Sequence, residues 1–298
     1  MDTRYLGSLI EVVERGSIAE AARAQHLTAA AVSQRIQALE RAFGFTLLSR
    51  AGHMARPTDA CLNLLPRARH IVREMELIAG DVDPSGLTGS LRLGVISTAL
   101  TGLVPQMLVD FTSKAPQARL RVMPGTSEEL YRALLNREIQ AAILVMPEFD
   151  VPASVSMTPL RKERLVLLSK QKPEKGVART LRERPYIRYD RHAWGGRFAE
   201  AYLADRGIDI EAMLDLDALE AITLLVDKDV GVSLIPEYAG LSRWSEHCTI
   251  TPIRGDRFAR EIAFATLAPS ESPRLVEVLL EVLRRCATAE AGPDRLTA

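Results

Sequence analysis

The sequence predicts an α/β protein in two parts. A small helical N-terminal part closes with a β-ribbon, and a long helix joins it to a larger part of alternating strands and helices. Three observations carry that reading. Residues 4–43 hold three short helical patterns with good caps between them. One uninterrupted helical pattern then runs from Thr58 to the turn-rich Asp83-Pro84-Ser85-Gly86. Beyond it, apolar strand-like runs alternate with amphipathic stretches, which implies a mainly parallel sheet covered by helices.

Each element has a local cause. Leu6, Leu9, Ile10 and Val13 lie three and four apart and give residues 4–14 one apolar helical face, which Gly16 ends. Ser17 with Glu20 three residues later is a capping-box signature, and it opens a short helix rich in alanine that another helix can approach closely. Thr28 caps a third helix with Val32, Ile36, Leu39 and Phe43 on one face, stopped by Gly44. Short helix, tight turn, helix is the helix-turn-helix arrangement. The polar face of the third helix shows Ser33, Gln34, Gln37 and Arg41 with Arg35 beside them, side chains that bond to base edges and phosphates. Residues 45–58 read as strand, glycine turn and return strand, a β-wing on which Arg50 and Arg56 are placed for phosphate contacts.

From Thr58, with Asp59 favourably at the positive helix end, Leu64, Leu65, Ala68, Ile71, Val72, Met75, Ile78 and Ala79 form a narrow apolar stripe. Such a stripe outside a globular core suggests pairing with a second copy, and Pro66 should bend the helix or remove a hydrogen bond. In the second part, strands are expected at 91–96, 119–123, 141–145, 164–169, 186–189, 230–235 and 262–267, with the end of a further strand near Leu216. Helices are expected near 101–114, 127–136, 196–206, the stretch before Val226, and 273–286.

Composition bounds the function. The chain has 298 residues, 47% hydrophobic and 26% charged, so two globular parts are a reasonable expectation. Its formal net charge is zero, so a nucleic-acid surface must be a local patch. Residues 1–58 carry seven Arg and no Lys against five Asp and Glu, a weak excess. Early acid and the lack of an apolar run argue against a signal peptide, and no stretch approaches the ~20 apolar residues of a membrane span. A cytoplasmic protein without a membrane partner is expected. Cys61, Cys248 and Cys286 fit no disulfide or zinc spacing and read as free thiols in a reducing compartment. No P-loop, nucleophile elbow or metal cluster appears, so neither catalysis nor a cofactor is expected.

The residues also resemble a known family. Gly16-Ser17-Ile18-Ala19-Glu20-Ala21-Ala22, Leu27-Thr28, the run from Ala31 to Glu40, Phe43-Gly44, Leu47-Leu48-Ser49-Arg50 and Pro57-Thr58 together resemble the DNA-binding domain of LysR-type transcriptional regulators. Leu91-Arg92-Leu93-Gly94, Leu103-Val104-Pro105 and the run from Val230 to Pro236 are similar to the same family's effector domain. The resemblance implies a winged helix-turn-helix over 1–58 and a linker or dimerisation helix with its hinge over 59–88. It further implies a periplasmic-binding-protein-like effector domain over 89–298, whose two α/β subdomains cross near 162 and 267. It also implies a homodimer or homotetramer on an imperfect inverted repeat of double-stranded DNA, RNA polymerase as a partner, and a small effector between the subdomains. Four positions depart from the family pattern. Ala29-Ala30 replace Gln-Pro, Cys61 replaces a glycine, Asp229 replaces a glycine in a turn that Asp tolerates, and Gln140 replaces an acid.

These readings name the candidate sites. Thr28, Ser33, Gln34 and Gln37 stand for DNA reading, and Arg35, Arg50 and Arg56 for the DNA backbone. For the effector, the loops at Ser97, Thr98 and Thr101 and at Thr126 and Ser127 follow strand ends and offer hydroxyls and N–H groups. Simple N-capping would equally account for Ser97, Thr101 and Ser127. Arg188 and Arg191, in a segment rich in cations and aromatics, could pair with a carboxylate or phosphate. Together these favour an anionic effector. The leading function is a sequence-specific regulator modulated by a small molecule. The alternative is a constitutive architectural DNA-binding protein. A solute-binding or catalytic reading suits only the second part.

Overall fold

A computed structural model describes residues 2–51, 54–81 and 83–289. Contacts divide the chain into two compact units, Met1–Pro84 and Ser85–Ala298.

The first unit contains α1 (Thr3–Arg15), α2 (Ile18–Ala24), α3 (Ala29–Phe43), β1 (Leu48–Ala51), β2 (Met54–Pro57) and α4 (Asp59–Asp81). Its core is built from Leu6, Leu9 and Val12 of α1, Val32, Ile36 and Leu39 of α3, Leu47, and Cys61, Leu65 and Ala68 of α4. Gly16 (φ 65°) and Gly44 (φ 82°) end α1 and α3 in the left-handed conformation that a glycine adopts without a Cβ penalty. Thr28 Oγ1 accepts from Ala31 N, and Thr58 Oγ1 accepts from Cys61 N. Only half of the expected capping box at Ser17 forms. Ser17 Oγ accepts from Glu20 N, but the Glu20 carboxylate turns away to pair with Arg23. β1 and β2 pair antiparallel, and Glu40 Oε1 accepts from Leu47 N at 2.7 Å and Leu48 N at 3.3 Å, which fixes the ribbon against α3. The turn residues Gly52 and His53 lie outside the described residues, as does the Ala79 side chain of the α4 stripe. Further along α4, Ile71, Met75 and Ile78 are exposed.

The second unit opens with β3 (Gly89–Val95), α5 (Ser97–Thr101), α6 (Leu103–Lys114), β4 (Ala118–Pro124), α7 (Ser127–Leu135), β5 (Ala141–Val145) and β6 (Val155–Glu163). It continues with β7 (Leu165–Ser169), α8 (Val177–Glu183), β8 (Tyr186–Tyr189), α9 (Arg197–Asp205), β9 (Ala212–Leu216), α10 (Leu219–Asp227), β10 (Ser233–Pro236), α11 (Leu241–Trp244) and β11 (Thr249–Pro252). It closes with β12 (Arg260–Leu267) and α12 (Pro273–Ala289). The helix expected at 101–114 is α6, and Gly102 separates it from an additional short helix, α5, that the sequence does not announce.

One sheet has the order β4-β3-β5-β12-β6 and packs against α6, α7 and α12. β3 is parallel to β4 and β5, while β12 runs antiparallel to both β5 and β6. A second assembly holds β10-β7-β11, all antiparallel, and the parallel pair β8-β9, joined through a bridge between Tyr186 and Val232. The expectation of a mainly parallel sheet is therefore corrected to a mixed one. Two strands that cross between the sheets, β6 and β12, must run against each other because the chain leaves and returns through the same hinge. The chain leaves the first sheet after Glu163 and re-enters it at Arg260, so the return lies at the start of β12 and not near 267. At the late turn, Asp229 is indeed left-handed (φ 58°), and its carboxylate pairs with Arg184.

Candidate functional site

On the first unit, α3 buries its apolar stripe and turns the opposite face to solvent. Gln34, Gln37 and Arg41 are exposed there, with Thr28, Ala29 and Ala30 at the exposed N-terminal end and Ser33 half-buried. Gln34 and Gln37, three apart, share one face. Arg56 is exposed on β2. The backbone of Arg50 pairs with Ala55, but its side chain lies outside the described residues.

Arg35 does not join this face. Its Nη1 donates to Ser8 Oγ at 3.0 Å, and its guanidinium carbon lies 5.9 Å from the Tyr5 ring centroid. Ser8 is fully buried and itself donates to Gln25 Oε1 at 2.7 Å. Arg35 therefore braces α3 against α1 and α2, a correction to its expected place on the DNA backbone. Arg56→Gln should lower the slope of log affinity against log salt by about 1 with little effect on stability, as expected for one lost phosphate contact. Arg35→Gln should instead destabilise the unit by about 1 kcal/mol through the lost charged hydrogen bond. Salt titrations of binding, run beside melts of both variants, check the pair of outcomes.

The second unit holds a cavity of about 450 Å³ at the carboxyl ends of β3, β4, β8 and β9. Ser97 and Thr98 enter it from the start of α5, and Thr126 and Ser127 from the start of α7. Asp190, His192, Ala193 and Trp194 enter from the loop after β8, and Asp217 and Leu219 from the turn after β9.

Arg260, unforeseen from the sequence, lies in its wall and is 2% exposed. Its Nε donates to Glu163 Oε2 at 2.8 Å and Nη2 lies 2.7 Å from the same oxygen. Nη2 also donates to Thr98 Oγ1 at 3.0 Å, and Nη1 points to the Tyr189 hydroxyl at 3.4 Å. Glu163 Oε1 accepts from Ala239 N at 3.2 Å. Burial opposes the charge on Arg260, but Glu163 and Tyr189 together more than offset it and favour the protonated guanidinium. Burial, opposed by the Arg260 charge and aided by Asp217, pushes the Tyr189 phenol up to about 12.

The expected effector residues divide. Ser97, Thr98, Thr126 and Ser127 line the cavity. Thr126 is spent in a capping box, since its N–H and hydroxyl both donate to Glu129 Oε2 at 2.9 Å and its Oγ1 accepts from Glu129 N. Those bonds, the backbone one first, hold the Glu129 carboxyl below the usual range. The anion site expected at this helix start is thus filled by the chain's own carboxylate. Ser127 Oγ accepts from Val145 N at 3.1 Å, so it does not cap α7.

Thr101 is not in the cavity lining. Its hydroxyl donates to Glu220 Oε1 at 3.2 Å. Arg188 is also absent from the lining, because neighbours on a strand face opposite ways and Tyr189 takes the cavity side. Its Nε lies 3.0 Å from Glu200 and its Nη1 donates to Asp215 at 3.4 Å. Arg191 is exposed and does not line the cavity. The two arginines expected to meet an anion are therefore elsewhere, and the remaining charged lining is mostly acidic: Glu128, Glu129, Asp190 and Asp217. Partial desolvation, then the Asp190 carboxylate, hold the Asp217 carboxyl above the usual range.

Among the described residues no His, Cys, Asp or Glu group is placed to hold a metal ion, and no helix is long and apolar enough to cross a membrane.

Residues 3–62 match the family described as bacterial regulatory helix-turn-helix protein, lysR family, and residues 84–287 match the family described as LysR substrate binding domain. The chain is 27% identical to the HTH-type transcriptional regulator YofA of Bacillus velezensis, over 76% of this chain and 78% of that one. It is 32% identical to a probable hydrogen peroxide-inducible genes activator of Mycobacterium leprae, over 54% of this chain and 52% of that one. Full-length CbnR, solved with its target DNA, superposes with a TM-score of 0.70 over 96% of this chain and 100% of that one. At 22% identity this likeness speaks for the fold alone.

Proposed function

We propose a mode of action from one premise, that the chain belongs to the LysR family of DNA-binding transcriptional regulators, whose second domain takes a regulatory effector. One observation carries the detail. A recognition helix with exposed glutamines and a cavity at strand ends, lined by hydroxyls and charged side chains, lie on the same chain, in separate units.

In this reading residues 1–58 form the DNA-binding domain, 59–88 the linker and dimerisation helix with its hinge, and 89–298 the effector domain. Ser33, Gln34 and Gln37 read base edges in a major groove, beside the cap at Thr28, and Arg50 and Arg56 hold the phosphates. The exposed Ile71, Met75 and Ile78 of α4, spaced four and three apart, suit a second copy of the same helix. A homodimer, and a homotetramer built from it, would then sit on an imperfect inverted repeat in the cytoplasm, where RNA polymerase is its partner. The effector sits in the cavity between the two sheets of the second unit. It shifts the protein between two states only through a difference in affinity for them.

Two of the three thiols, Cys61 and Cys248, speak against carrying the mycobacterial relative's peroxide response across. Cys61 is fully buried, and burial, then Glu40, push its thiol up. Burial, then Asp227, push Cys248 up to about 11. A sensor thiol needs the opposite shift.

The test is capture of fragmented host DNA by the full-length protein at moderate salt, followed by sequencing. A few sharp sites containing an inverted repeat are expected. Diffuse enrichment would overturn the sequence-specific reading and leave the architectural alternative.

A further inference from the structure

We infer that the effector of this chain carries a protonated amine, held by Asp190 and Asp217, together with a hydrogen-bond acceptor held by the Thr98 and Ser127 hydroxyls. The ligand class is a small zwitterion or amine with an acceptor at its far end. The inference rests on the effector reading of the cavity and reverses the anionic class that the sequence favours.

A charge count of the wall leads there. Arg260 is the one guanidinium of the lining, and Glu163 neutralises it inside the protein, with Thr98 and Tyr189 taking further donors. Among the described residues Asp190 Oδ1 accepts only the backbone N–H of His192, at 2.9 Å. Asp217 lines the cavity from an exposed position and makes no salt bridge or hydrogen bond among the described residues. Its carboxyl is raised by desolvation and by the nearby Asp190, Arg260 opposes that shift without cancelling it, and Glu129 adds to it. Two carboxylates that oppose each other's ionisation in one wall are relieved by a cation between them. Trp194 lies in the same wall, buried against Tyr131 and Phe149, and so reports on occupancy of the cavity.

The acceptor end follows from two hydroxyls. Ser127 is 8% exposed, and its oxygen accepts from Val145 N. Thr98 is 4% exposed, and its oxygen accepts from Arg260. Each therefore lines the cavity with its oxygen accepting one hydrogen bond and its own proton without an acceptor among the described residues, so an acceptor on the ligand completes both. These hydroxyls come from the α5 and α7 starts, whereas the two aspartates follow β8 and β9. The ligand therefore spans the two sheets with ends of unlike chemistry.

The test uses the full chain with Trp244→Phe, which leaves Trp194 as its sole tryptophan. Emission is titrated with the common amino acids and, as a chain-matched series, 5-aminopentanoate, cadaverine and glutarate. Amine-bearing compounds should move Trp194 emission, with 5-aminopentanoate binding at least tenfold tighter than glutarate. Asp217→Asn, melted alongside to confirm its fold, should weaken the amine-bearing compounds at least tenfold and leave glutarate unchanged or tighter. If glutarate and other acids bind while every amine fails, the amine inference is overturned and the effector cavity stands. If no compound of either class moves Trp194 at millimolar concentration, the inference falls together with the cavity reading beneath it.

Discussion

Arg260→Met is expected to destabilise the second unit by about 3 kcal/mol, since removing one partner leaves the buried Glu163 carboxylate with only the more distant Arg161, at 3.7 Å, as counter-charge. Arg260 and Glu163 are register partners on β12 and β6, the two strands by which the chain leaves and re-enters the first sheet. The guanidinium also reaches Thr98 beside β3 and Tyr189 at the end of β8, so it ties the two sheets together at their crossing. The double variant Arg260→Met, Glu163→Leu should regain most of the loss, because a matched apolar pair avoids the desolvation of both charges. Both tryptophans, Trp194 and Trp244, belong to the second unit, so their emission in urea follows that unit alone. A single variant costing less than about 1 kcal/mol, the scale of an exposed pair, would show that the crossing does not depend on this ion pair. The double variant should still lose effector response, since Thr98 then loses the donor that fixes its hydroxyl.

Most of the helical signal was legible because it is local. The caps at Thr28 and Thr58 and the glycine stops at 16 and 44 involve residues within one turn of each other, and spacing reveals them. What escaped is long-range. β6 reads as polar, and Pro159 within it discourages a strand, yet an edge strand tolerates both. Arg260 is separated from Glu163 by 97 positions, and nothing around either residue marks them as a pair. The segment from Arg188 to Trp194 lies at the end of a strand, but strand alternation puts Tyr189 and not Arg188 on the cavity side, and the turn brings Asp190 and Trp194 in after it. Arg35 illustrates the same limit on the first unit. Nothing in its neighbours along the chain announces the buried Ser8 that claims it.

Replacing Gln34 or Gln37 by alanine should remove about 1–3 kcal/mol of discrimination between the preferred site and one altered at the contacted base pair, roughly 5–150-fold in relative affinity. The two side chains stand on the exposed face of α3, one turn apart, which suits neighbouring base pairs in one groove. Ala29 and Ala30 at the exposed helix start have no side-chain donor or acceptor, so the readout falls on Ser33, Gln34 and Gln37. Because glutamine carries no charge, neither variant should change affinity for unrelated DNA or the salt dependence, in contrast to Arg56→Gln. Both variants should also fold as the parent does, since Val32, Ile36 and Leu39 on the opposite face supply the core. Selection from randomised duplexes, with each variant sequenced beside the parent, measures the change base by base. Loss of preference confined to one or two positions per variant is the expected result. An unchanged preference profile in both would remove α3 glutamines from the readout and shift it to the wing, where Arg50 and Arg56 would then have to read a groove and not only hold the backbone.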